Sequence, residues 1–275
     1  MLPDCVNVSR FALKFNEIGR RIAPRLFVKT EFTDPKVFKF ASEICPRYFG
    51  RALVLTQFIP LVLETFNRET KVRVAVLGGS VNEPEVIALE NLGFKLEVKV
   101  FGIEKTSNYL DLNVISKRFI DYEFDLILCS QVWEHIWCHG NAFSNIYNLM
   151  GDGCFLWLAA PTSNRAHGSP DYFSAGFTDR YFVNNLENLG LSVLASGQLG
   201  TARNYRATHT MPIWPTSKSH SMPILYTFEG FGRISRLLSI VRYFLRNLEL
   251  LVFSSKITSD VMYATESWVF AKRKG

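Results

Sequence analysis

Apolar residues change their spacing at Lys71. Before it, "SRFALKFNEIGRRIA" and "DPKVFKFASEICPRYFGRALVLTQFIPLVLETF" place them three and four positions apart, the period of a helix with a buried face. Pro35, Pro46 and Pro60 predict breaks in that pattern. After Lys71, short apolar runs alternate with helical stretches. "KVRVAVLG", "KLEVKVFGIE", "NYLDLNV", "FDLILCS", "CFLWLAAP", "LSVLASG" and "ATESWVFAKR" read as seven strands in that order. The helix after the first strand is expected to open at Asn82 as N-cap, with Pro84 in its first turn and Glu85 three residues past the cap; "LGF" closes it. A further helical region spans about Gln131 to Met150. Thr178 is expected to cap "DRYFVNNLENL", which Gly190 ends.

Alternating strands and helices predict an α/β fold, a doubly wound, seven-stranded, mainly parallel sheet covered on both faces. Four parts follow: a helical N-terminal extension (1–70), a Rossmann-like core (71–200), an inserted cap between strands six and seven (201–261), and a terminal strand completing the sheet (262–275). The cap is inferred from length, because some sixty residues are too many for a plain connection. Within it, Ile234 to Phe253 has apolar residues at helical spacing, interrupted by Arg236, Arg242, Arg246 and Glu249. That pattern reads as an amphipathic helix covering the core, in preference to one lying on a membrane.

Composition narrows the function classes. The net charge of +6 is mild and the basic residues form no dense run, so nucleic acid is not implied as a partner. Five cysteines without a C-x-x-C pair read as reduced thiols of a cytoplasmic protein. The first residues, with an early Asp4 and no apolar run, do not read as a signal peptide.

The stretch "VAVLGGSVNEPEV" is a strand, a tight turn at Gly78-Gly79-Ser80 and a helix start, an arrangement that offers backbone N–H groups to a ligand. A third glycine is missing, and Glu83 and Glu85 occupy the first helical turn, where they compete with a phosphate. A phosphate-free nucleoside carrying positive charge suits the turn better, and S-adenosylmethionine has a sulfonium and an α-ammonium. Glu104, at the end of the second strand, is placed to accept hydrogen bonds from a ribose diol.

Strand "VRVAVLGGS", Glu104 and "FDLILCSQVWEHI" resemble the class I S-adenosylmethionine-dependent methyltransferases, in particular the branch called methyltransferase type 11, over about Lys71 to Gln198 and the terminal "ESWVFAKR". The resemblance implies an antiparallel seventh strand. It implies that Gly78, Gly79 and Ser80 pack against the methionine part of the cofactor and that Glu104 takes the ribose hydroxyls. Asp111 and Leu112 then border the adenine, and Ser130, Gln131 and Val132 line the floor under the sulfonium. The chain departs from the family at Val76, where an acidic residue is usual, and at Ser80 and Asn82, because the family's G-x-G-x-G becomes Gly78-Gly79-Ser80-Val81-Asn82.

Methyl transfer needs an acceptor held in line with the sulfonium, and a general base only if the acceptor loses a proton. His135, after the fourth strand, and His167, in the "PTSNRAHGSPDYFSAGFT" loop, are the candidate bases; for His135 the bland alternative is a helix residue hydrogen-bonded to backbone. His135, Cys138 and His139 superficially suggest a metal, but no fourth ligand accompanies them, so no metal is expected. Asp171 and Tyr172 share the loop with His167, while Tyr205, Arg206 and His209 lie in the insertion with Arg203 and Trp214; all are candidate acceptor contacts. Aromatic faces and arginines suit a small sugar derivative, so O-methylation of a sugar or surface-polysaccharide precursor is the preferred reading. Two alternatives stay open: a methyltransferase fold that binds or assembles without catalysing, and an NAD-dependent dehydrogenase. Oligomeric state is not legible.

Overall fold

The computed structural model describes residues 34–45, 49–103, 108–116, 123–163, 173–201 and 264–275. In order these form α1 (Pro35–Ile44), α2 (Phe49–Thr65), β1 (Lys71–Leu77), α3 (Pro84–Asn91), β2 (Lys95–Gly102), β3 (Asn108–Tyr109) and β4 (Leu126–Ser130). A 3-10 turn (Trp133–His135), α4 (His139–Leu149), β5 (Phe155–Pro161), α5 (Asp179–Asn188), β6 (Leu191–Leu199) and β7 (Glu266–Arg273) complete the set.

The strands form one sheet in the order β3-β2-β1-β4-β5-β7-β6. β1 pairs in parallel with β2 and β4, and β4 with β5, whereas β7 runs antiparallel between β5 and β6. This is the class I methyltransferase topology, including the reversed seventh strand. Strand order turns between β1 and β4, which opens a crevice at their carboxyl ends.

Period-two alternation builds the layers. Ala75, Leu77, Ile127, Cys129, Leu156 and Leu158 pack into one core with α4 and α5. Val74, Val76, Leu126, Leu128, Trp157 and Ala159 pack into the other with α1, α2 and α3. Because both faces are buried, these strands carry almost no polar residue. α2 belongs to that second core. Its Ala52 to Thr56 are all buried, as in a helix enclosed on every side, and Phe58 packs on Trp157 with ring centroids 5.1 Å apart.

Several local expectations need correction. Pro60 lies inside α2 without ending it. A proline there costs about 3 kcal/mol, and full burial of Phe58, Ile59 and Val62 around it outweighs that loss. The Gln131–Met150 region is not one helix: a short 3-10 turn and α4 are separated at Ile136, which is extended. α3 has Glu83, not Asn82, at its N-cap, and Glu83 makes no side-chain cap bond. The third strand shrinks to two residues. Thr178 does cap α5, accepting from the Tyr181 N–H, and Gly93 and Gly190 take the left-handed conformation after their helices. The amphipathic segment Ile234–Phe253 lies outside the described residues, as does nearly all of the cap. Among the described residues no helix is long and apolar enough to cross a membrane.

Candidate functional site

The crevice is built from the glycine turn after β1 and the segment after β4. Gly78 adopts φ +68°, and its N–H donates to the Phe101 carbonyl at 2.8 Å. A Cβ at Gly78 would lie 2.8 Å from both Cγ atoms of Val132, so the two segments touch at the glycine. The turn therefore requires glycine twice over, for its backbone angle and for this close approach.

The side chain of Glu83 folds back over the turn. Its Oε1 accepts from the Ser80 N–H at 3.3 Å and would lie 2.6 Å from a Cβ at Gly79. Arg51, projecting from α2, secures it: Nη2 donates to Glu83 Oε2 at 2.7 Å and to Glu85 Oε2 at 2.8 Å. Glu85 is 1% exposed, and its other oxygen accepts from the Ser130 hydroxyl at 2.7 Å. Burial opposes the charge on Arg51, but Glu85 and Glu83 outweigh it and raise its pKa above the ordinary arginine value. The buried Arg51 Nε–H has no hydrogen-bond acceptor among the described residues. Two carboxylates against one guanidinium leave the turn with a negative balance.

Gln131 follows Ser130 with φ +59°, the one non-glycine residue in the left-handed region among the described residues. Its N–H donates to the Ala159 carbonyl at 2.8 Å, and its side-chain Nε2 donates to Glu266 Oε2 at 2.9 Å. Burial pushes the Glu266 carboxyl up to about 8, against the Gln131 hydrogen bond and Arg51, with Glu134 and Glu85 adding to the rise. Glu134 itself is 1% exposed.

The structure thus brings together Gly78, Gly79, Ser80, Ser130, Gln131 and Val132. Asp111 lies in the turn after β3, where its Oδ1 accepts from the Asn113 N–H at 2.9 Å and from Asn113 Nδ2 at 3.2 Å; Leu112 beside it is buried. Asn145 grips this turn from α4, donating to the Val114 carbonyl at 2.9 Å and accepting from the Ser116 N–H at 2.8 Å. His135 ends the 3-10 turn, half-buried. His139 opens α4 and its ring lies among Phe177, Tyr181 and Trp133; burial lowers its pKa. Among the described residues no group of three metal-ligating side chains converges. Exposed Trp137 and Phe173 lie near this end, and Phe173 N–H donates to the Glu134 carbonyl at 2.8 Å. Glu104, His167, Asp171, Tyr172, Tyr205, Arg206 and His209 lie outside the described residues.

Sequence reasoning missed Arg51 and Glu266. Arg51 meets its partners 32 and 34 positions away, and Glu266 meets Gln131 across 135. No local pattern announces either pairing.

No family model matches the chain, and neither does any curated protein. Solved structures with a similar fold include a SAM-dependent methyltransferase from Archaeoglobus fulgidus. It is 13% identical with a TM-score of 0.46, the match covering 87% of this chain and 100% of that one. An S-adenosylmethionine-dependent methyltransferase from Mesorhizobium loti is 11% identical with a TM-score of 0.42, covering 78% and 96%. The cyclase SpnF is 11% identical with a TM-score of 0.45, covering 79% and 80%.

Proposed function

We propose that the protein is an S-adenosylmethionine-dependent methyltransferase acting on a small molecule. One observation carries the reading above others: a glycine turn and the Ser130–Val132 segment meet at the switch point of a sheet with class I methyltransferase strand order, under a surplus of carboxylate. The cofactor's sulfonium and α-ammonium complement that surplus, whereas a dinucleotide's pyrophosphate meets two glutamates. Gly78, Gly79 and Ser80 border the methionine part. Glu83, the more exposed of the two carboxylates, would accept from its ammonium. Ser130, Gln131 and Val132 form the floor, and Asp111, Leu112 and Glu104 serve the nucleoside.

When bound, the cofactor supplies an electrophilic methyl group on sulfur. The protein's share is to hold donor and acceptor in line and to keep water out. The acceptor preferred here is a sugar derivative, O-methylated, with His135 or His167 taking the proton. Aromatic and arginine residues at Tyr205, Arg206 and Trp214, with exposed Trp137 and Phe173, support a ring-shaped polar acceptor.

Calorimetry with S-adenosylhomocysteine, with NAD as control, tests the reading. Binding of the first alone, weakened in Glu104→Ala, is the expected result. Binding of NAD alone favours the dehydrogenase reading, and binding of neither favours a fold retained for assembly.

A further inference from the structure

Glu266 is the first residue of β7, in register with Pro161 of β5 and Leu199 of β6. Its carboxyl turns toward two other elements. Oε2 accepts from Gln131 Nε2 at 2.9 Å. Oε1 lies against the first turn of α2, so close that a Cβ at Gly50 would be 2.1 Å away. The next residue, Arg51, reaches the α3 carboxylates. One carboxyl therefore touches both the floor of the crevice and the helix that walls it.

The floor needs such support. A left-handed conformation costs a residue with a Cβ about 1 kcal/mol or more, and it persists only where neighbours reward it. For Gln131 the reward is a backbone bond to Ala159 and the side-chain bond to Glu266.

We propose that Glu266 is a positioning residue of the donor site, whose carboxyl holds Gln131 in its left-handed conformation and seats the first turn of α2 at Gly50. The inference rests on the methyl-donor reading for its ligand, though not for its geometry. The charged groups facing Glu266 are Arg51 from α2, Glu85 from α3 and Glu134 from the 3-10 turn. Burial and the two glutamates favour the protonated form, which predominates at neutral pH for a group titrating at about 8. Gln131 and Arg51 favour the charged form, but lost hydration and the repulsion of Glu134 and Glu85 outweigh them, so ionisation drives the carboxyl out of its buried seat and away from both contacts.

The test is S-adenosylhomocysteine affinity at pH 7 and pH 9 in the full chain and in Glu266→Gln, whose neutral amide cannot ionise. The variant also corrects for titration of the ligand's own ammonium. Wild type is expected to lose roughly tenfold more affinity than the variant between the two values, the change in protonated fraction of a group titrating at about 8. Equal losses overturn the proposal. Amide hydrogen exchange at 130–132, corrected for intrinsic rate, gives a readout without ligand. It is expected to quicken from pH 7 to pH 9 in wild type and to stay level in Glu266→Gln. Ligand-free exchange that responds in a protein binding no donor refutes the methyltransferase reading and keeps the positioning role; a response to pH that is the same in wild type and in Glu266→Gln refutes the role itself.

Discussion

Arg51 Nη2 and Glu85 Oε2 are 2.8 Å apart, and the same nitrogen reaches Glu83 at 2.7 Å. Glu85 is 1% exposed, and Arg51 is the opposite charge paired with it in the interior. Leaving a buried carboxylate without its partner costs about 3–5 kcal/mol. Arg51→Met is accordingly expected to lower stability by about 3 kcal/mol in urea denaturation, and Glu85→Gln in the same background to recover part of the loss. An unchanged midpoint in Arg51→Met refutes the pairing.

Gly78 combines φ +68° with a 2.8 Å approach to the Val132 methyls. Gly78→Ala is expected to destabilise the protein by about 1–3 kcal/mol and to weaken S-adenosylhomocysteine binding, since Val132 must retreat from the turn. Gly140, where a Cβ meets nothing within 4 Å, is the control position. A Gly78→Ala protein as stable and as tightly binding as Gly140→Ala contradicts this account of the turn.

Glu266 gives stability a pH dependence of definite sign. Its pKa rises from 4.5 to about 8 on folding, so between these values the folded protein holds a proton that the unfolded chain has lost. That contribution is fully present below about 4.5, declines as pH rises, and levels off above 8, with a slope of at most about 1.4 kcal/mol per pH unit. The difference in unfolding free energy between wild type and Glu266→Gln should therefore move against wild type from pH 5 to pH 8. A difference independent of pH contradicts the shift.

Asn145 is fully buried and holds the 111–116 turn through both ends of its amide. Asn145→Leu leaves the Ser116 N–H and the Val114 carbonyl without this partner, which is expected to cost about 2–3 kcal/mol. Hydrogen exchange at 111–116 should quicken more than at β4. Uniform quickening would mean that the clamp is not local.

The layers were legible because the central strands are apolar at nearly every position, as a sheet covered on both faces requires, and Val74/Ala75 or Leu126/Ile127 sort to opposite faces by the pleat alone. Thr178, Gly93 and Gly190 were legible for the same kind of reason, since caps and left-handed turns are local chemistry. Pro60 misled because its local cost is opposed by burial that only the packed α2 reveals. The glycine turn and Ser130–Val132 could be placed from strand ends and the family resemblance. The reason Glu83 and Glu85 are tolerated there could not, because Arg51 arrives from a helix ahead of the sheet. Their acidity spoke against phosphate; their pairing was silent in the sequence.

The central claim is that a methyl donor lies between the glycine turn and the segment after β4. Amide hydrogen exchange with and without S-adenosylhomocysteine tests it most directly. Protection of residues 78–81 and 130–132 is the result predicted. Protection instead at the opposite end of the strands, around Lys71, Arg73 and Asp125, where a groove of about 660 Å³ lies, would contradict it.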